Sequence, residues 1–94
     1  MNFVVDVSDR ALDSLPQSLS FAAFEKLLVL LDRKLGDDPL TFGQPADHPE
    51  FGRVGMVYRD GFQTEELTYL FSAYFHFKED ENTISVWDFK FTIE

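Results

Sequence analysis

Cysteine is absent from this chain of 94 residues. That excludes disulfide staples, thiolate metal sites and a cysteine nucleophile. Long apolar runs are also missing: the longest aliphatic stretch, Leu27 to Leu31, falls far short of the roughly 20 residues a bilayer-spanning helix needs. The opening MNFVVDVSD has no basic segment followed by an apolar one, so no signal peptide is expected there. With these absences, a single cytoplasmic domain spanning 1–94 with no membrane association is expected. Basic residues are scarce, eight against 17 acidic, for a net charge of −9. Such a field disfavours direct nucleic-acid binding and favours basic partners. No Walker loop, GxSxG or GxGxxG occurs, so no cofactor is implied.

What the chain has in abundance is phenylalanine, eleven in all, and five of them fall in one alternating stretch. Leu67, Tyr69, Phe71, Ala73, Phe75 and Phe77 recur at every second position, the period of a strand with one buried face. After Glu79-Asp80-Glu81-Asn82 the alternation resumes with Ser85, Trp87, Phe89, Phe91 and Ile93. A turn centred on Asp80 pairs Phe75 with Ser85 and Phe71 with Phe89, putting both aromatic rows on one face. The hairpin is the heart of the predicted core.

Ahead of it, Asn2 to Val7 reads as a short strand, and Ser8 as the N-cap of a first helix that Pro16 closes. Ser18 or Ser20 caps a main helix over Phe21 to Leu35, whose apolar stripe is Phe21, Phe24, Leu27, Leu28, Leu31 and Leu35. Gly36 is the expected C′ residue and Pro39 the stop. Leu40 to Gly52 reads as an irregular connection anchored by Leu40, Phe42 and Phe51. Arg53 to Arg59 is a strand with Val54, Met56 and Tyr58 on one face, and Asp60-Gly61 a turn. The sum is an α+β domain of order β-α-α-β-β-β, two N-terminal helices on one face of a mostly antiparallel four-stranded sheet.

Alternation assigns the opposite, open face of that sheet. It should carry Arg53, Gly55, Val57 and Arg59, then Leu70, Ser72, Tyr74, His76 and Lys78, then Ile84, Val86, Asp88 and Lys90. Arginines and a lysine there would hold phosphate, and a tyrosine or histidine would move a proton. The candidate catalytic set is therefore Arg53, Arg59, Tyr74, His76 and Lys90, against the plainer reading of a solvated sheet face. Leu70, Tyr74 and Val86 form a candidate partner or homodimer patch. Asp47-His48-Pro49-Glu50 offers oxygen and nitrogen donors, but His48 has no HxxxH or HxH companion, so no metal is expected. Glu79-Asp80-Glu81 is a soluble hairpin tip or a docking point for a basic partner.

VSDRALDSLP, followed by an amphipathic helix and a closing three-strand meander with YLFSAYFHFKEDENTISVWDF as its central hairpin, resembles the RelE/ParE superfamily of toxin–antitoxin toxins. The resemblance implies that fold, with Ala11-Leu12 packed under the sheet. It also implies an antitoxin-like protein partner lying along the helices or the sheet edge. The family's ribosome-dependent endonucleases cut messenger RNA with basic and tyrosine residues on the open face. Here the central strand runs Tyr69-Leu70-Phe71 where such toxins commonly carry an arginine, and the last strand, WDFKFTIE, lacks the terminal arginine and tyrosine. The resemblance then implies a diverged toxin-type domain that acts through protein contacts. Two alternatives stand beside it: an acidic inhibitor or immunity-type protein of a basic nuclease or toxin, and a retained mRNA endonuclease.

Overall fold

The computed structural model describes residues 3–50 and 52–94, with the side chains of Ala46, Arg53 and Val54 left out of that description. Expectations resting on Asn2, on Phe51 as an anchor and on the Arg53 and Val54 side chains therefore lie outside the described residues. Strand β1 (Val4–Val7) leads into helix α1 (Asp9–Asp13), then helix α2 (Phe21–Leu30), which continues as a π-helical turn over Leu31–Leu35. A short helix α3 (Pro39–Phe42) and strand β2 (Gly43–His48) precede the long strands β3 (Gly52–Gln63), β4 (Thr68–Lys78) and β5 (Thr83–Ile93). Among the described residues these strands form one five-stranded sheet of order β1-β5-β4-β3-β2. The outer strand β1 runs parallel to β5, and every other pair is antiparallel.

Local chemistry sets the helix ends. Ser8 Oγ accepts the Ala11 N–H at 3.1 Å and Ser20 Oγ accepts the Ala23 N–H at 3.1 Å, each satisfying a first-turn donor that no helical carbonyl reaches. At the end of the main helix the Gly36 N–H reaches back to the Leu31 carbonyl at 2.8 Å. That five-residue step is a π-turn. It keeps Leu27, Leu31 and Leu35 buried on one line against the sheet. Gly36 itself stays right-handed, with φ −64°, so it is no left-handed cap.

The stretch expected to be irregular is ordered instead. Pro39 does not stop a helix but starts one: Asp38 caps it, accepting the Thr41 N–H at 3.1 Å, and Pro39 occupies the first turn, where its missing N–H costs nothing. Strand β2 then runs along the sheet edge, where Pro45 is tolerated. Gly43 is required at its start, because a Cβ there would lie 2.4 Å from the Phe75 ring. Asp60-Gly61, read as a turn, lies inside β3 opposite Phe71 and Leu70. The Asp60 carboxylate fits there because Tyr58 and Lys34 both donate to it, Lys34 at 2.9 Å. The chain turns at 64–67 instead, where the Thr64 N–H meets the Leu67 carbonyl at 2.9 Å.

The core lies between the helices and one face of the sheet, and holds Tyr58, Phe71, Ala73, Phe75 and Phe89 with Ala11, Leu27, Leu31 and Leu35. The expected hairpin register needs correction. Phe71 pairs with Phe91 and Ala73 with Phe89, but nearer the tip Phe75 pairs with Val86 and Phe77 with Ile84. The two stretches differ by one residue, taken up by a bulge at Trp87-Asp88 opposite Tyr74 and Phe75. Its cause is legible in β5, which carries two apolar sets out of phase: Ile84 and Val86, then Phe89 and Phe91. A regular strand buries only one set; an extra residue between them turns both inward. Val86 therefore sits in the core at 0% exposure, and Trp87 goes to the open face. Ser14 bonds beside the bulge, its Oγ accepting the Phe89 N–H at 3.0 Å.

Candidate functional site

The open face is not open along its whole length. Ladder pairing between β3 and β4 starts at Met56 with Phe75, while the β2–β3 hairpin extends further, through Asp47 with Arg53 and His48 with Gly52. This overhanging tip folds back across the sheet. Gly55, at φ +125°, supplies a bend that an L side chain rarely adopts. A register shift between Pro45 and Asp47 supplies the matching irregularity on β2.

The fold-back carries His48 over β4 to β5, where its Nε2 lies 2.6 Å from Asp88 Oδ2. On its other side, Nδ1 accepts the Glu50 backbone N–H at 3.0 Å. An amide can only donate, so Nδ1 carries no proton and the neutral ring donates from Nε2 to the Asp88 carboxylate. The imidazole packs edge-on to Tyr74, centroids 4.6 Å apart, and 5.0 Å from the Trp87 ring. His48 and Asp88 are both buried. Outside them, Lys90 Nζ donates to Glu50 Oε1 at 3.0 Å and lies 3.8 Å from Asp88 Oδ2. The hydrogen bond to Glu50, helped by the nearby Asp88, holds the Lys90 ammonium above its ordinary pKa. The same bond from Lys90 holds the Glu50 carboxyl below the usual carboxylate range.

A histidine paired with a buried aspartate resembles half of a general-base relay, but here both ring nitrogens are occupied by the protein. The arrangement works as a clamp that pins the hairpin tip, rather than as a base facing substrate.

The sequence-predicted residues separate accordingly. Arg59, Ser72 and Lys90 form one row across β3, β4 and β5, with Arg59 exposed and Lys90 held by Glu50. Tyr74 is on the predicted face but only 4% exposed, beneath His48. His76 is exposed and stacks on Trp87 at 5.9 Å, away from the Arg59 row. Arg53 contributes its backbone to the hairpin tip, and its side chain is outside the described residues. Of the proposed partner patch, Leu70 is 43% exposed, while Tyr74 is covered and Val86 is in the core. The patch as predicted is therefore not assembled, because His48 covers Tyr74 and the β5 bulge turns Val86 inward.

Sequence reasoning missed Asp88, Trp87 and Glu50 as partners of His48. The apolar phase switch in β5 was a usable signal for the first two; nothing local announces the third. Among the described residues no group of three His, Asp or Glu side chains is arranged to hold a metal ion, and no helix is long and apolar enough to cross a membrane.

No protein-family model matches the chain, and no curated protein matches it in sequence. Its fold is similar to that in the crystal structure of the toxin–antitoxin complex RelBE2 from Mycobacterium tuberculosis, with a TM-score of 0.63 at 14% identity. The match covers 98% of this chain and 100% of that one. The α+β architecture is thus RelE-like, as the sequence resemblance implied.

Proposed function

We propose that this domain is a diverged toxin-type member of a toxin–antitoxin pair, acting through protein contacts rather than RNA cleavage. The observation that carries the reading is the RelE-like fold combined with a covered open face. Of the residues expected to form an RNA-cleaving centre, Tyr74 lies beneath His48, Lys90 is engaged by Glu50, and His76 stacks on Trp87. The net charge of −9 also opposes docking on RNA. The partner is an antitoxin-like segment. Exposed apolar side chains suited to such contacts are Phe21 (75% exposed), Leu28 and Val29 on α2 and Leu70 on β4.

Induced expression in a bacterial host tests this. It should slow growth, the effect should survive Arg59→Ala combined with Lys90→Ala, and a small protein that neutralises it should co-purify in stoichiometric amount. Cleavage of ribosome-bound messenger RNA that disappears in that double variant would replace this reading with the endonuclease one. Harmless expression with no stoichiometric partner would remove the toxin-type reading.

The exposed acidic tip Glu79-Asp80-Glu81 favours a second reading, an acidic inhibitor of a basic nuclease or toxin. Its mark would be capture of a basic protein at low salt, lost as salt rises.

A further inference from the structure

The β2–β3 hairpin tip is joined to the rest of the sheet differently from the strands beneath it. Residues 52–55 extend beyond the last β3–β4 ladder pair, Met56 with Phe75. Among the described residues, the contacts reaching β4 and β5 from 47–50 run through side chains: His48 to Asp88, His48 against Tyr74 and Trp87, and Glu50 to Lys90. Both strands leading to the tip carry a backbone irregularity at its base, the register shift between Pro45 and Asp47 and the positive φ of Gly55. A Cβ on Gly55 would approach His76 Nδ1 and the Phe75 carbonyl oxygen to 3.1 Å, so the bend is tied to glycine.

From this geometry we propose that the described part of the hairpin tip, residues 47–50 with the backbone of 52–53, forms a strap that closes over the open face and opens about those two irregular points. In the closed position the strap's own carboxylate, Glu50, neutralises Lys90, and its imidazole covers Tyr74, Trp87 and Asp88. Opening breaks the His48–Asp88 and Glu50–Lys90 contacts together and leaves the β3–β4 and β4–β5 ladders intact. It uncovers Tyr74 and Asp88 beside the Arg59–Ser72–Lys90 row and releases Lys90 from Glu50. The strap thus sets whether Tyr74 and Asp88 are presented beside that row. This inference stands on the hairpin geometry and does not depend on the toxin-type reading.

The outer contact is a solvent-exposed ion pair, so salt weakens it: the screening length falls to about 3 Å at 1 M. The inner contact is buried and screened less. Closure should therefore loosen with salt without being abolished.

Native-state amide exchange on the full chain, read by NMR, tests the proposal. The Glu50 amide, which donates to His48 Nδ1, should exchange by local opening with protection at least about 100-fold below that of β4 and β5 ladder amides. Glu50→Gln should lower that protection further while leaving the ladder amides unchanged, and 1 M salt should do the same to the wild type. Trp87, the chain's single tryptophan, gives an independent reading: acrylamide quenching should rise several-fold in His48→Ala. If the Glu50 amide is protected like the ladders in every case, the tip opens only with global unfolding and the strap is refuted. Unchanged Trp87 quenching in a folded His48→Ala protein would refute it as well.

Discussion

The two faces of this sheet are covered in opposite ways. On one face, helices supply Leu27, Leu31 and Leu35 to a bed of buried aromatic residues. On the other, the described cover is a hairpin tip, held by a histidine–aspartate hydrogen bond, edge-on and tilted ring contacts and one exposed ion pair, with Arg10 of α1 also over the Trp87 ring. Apolar cover is non-directional and tolerates small shifts, whereas polar cover depends on a few bonds with fixed geometry. The first face should therefore carry most of the stability, and the second most of the conformational choice.

Substitutions can break that contrast, and the largest effect should come from the helix-covered face. Phe75 is fully buried at its centre, so Phe75→Ala should cost about 3–5 kcal/mol, read by denaturant unfolding. An effect comparable to that of a surface substitution would mean the core lies elsewhere.

Next comes the clamp. His48→Ala removes a bond to a buried carboxylate and should cost about 1.5–3 kcal/mol. Changing His48 and Asp88 together should cost less than the sum of the single changes, because neither partner is then left unsatisfied. Strict additivity in that double-mutant cycle would show that the two side chains do not interact.

Ser14→Ala should follow, at about 1 kcal/mol, since it removes the acceptor of the Phe89 N–H beside the bulge.

The smallest effect is pH-dependent and belongs to the margin of the core. Burial opposes ionisation of Asp60, but hydrogen bonds from Tyr58, Lys34 and the Gly61 N–H outweigh it and hold its carboxyl below its ordinary pKa of 3.8. A carboxyl depressed in the folded state adds stability that is fully present above its unfolded pKa and is lost as pH falls through the folded one. Asp60→Asn should therefore flatten the loss of stability below about pH 4, measured by unfolding at pH 7 and pH 3. An unchanged acid slope would contradict the assignment.

The same contrast explains what could be read from the residues alone. The β4 aromatic row, the capping serines at Ser8 and Ser20 and the leucine stripe of the main helix follow from local periodicity and hydrogen-bond chemistry. Strand β2 was illegible because an edge strand interrupted by Pro45 has no buried alternation to display. The clamp was illegible because it joins residues forty positions apart, and their meeting depends on a fold-back at Gly55 that no side-chain pattern encodes. Trp87 and Val86 were assigned to the wrong faces for a more instructive reason. A single register was imposed on a strand whose apolar residues change phase midway, and the bulge is the chain's answer to that conflict.

The most direct test of the closed open face is a nuclear Overhauser measurement on the Trp87 indole. Cross-peaks to the His48 and Tyr74 rings are predicted, with none to the buried Leu27 or Leu31 methyls. Cross-peaks to those methyls in place of His48 would put Trp87 in the core, remove the bulge and leave the clamp without its site.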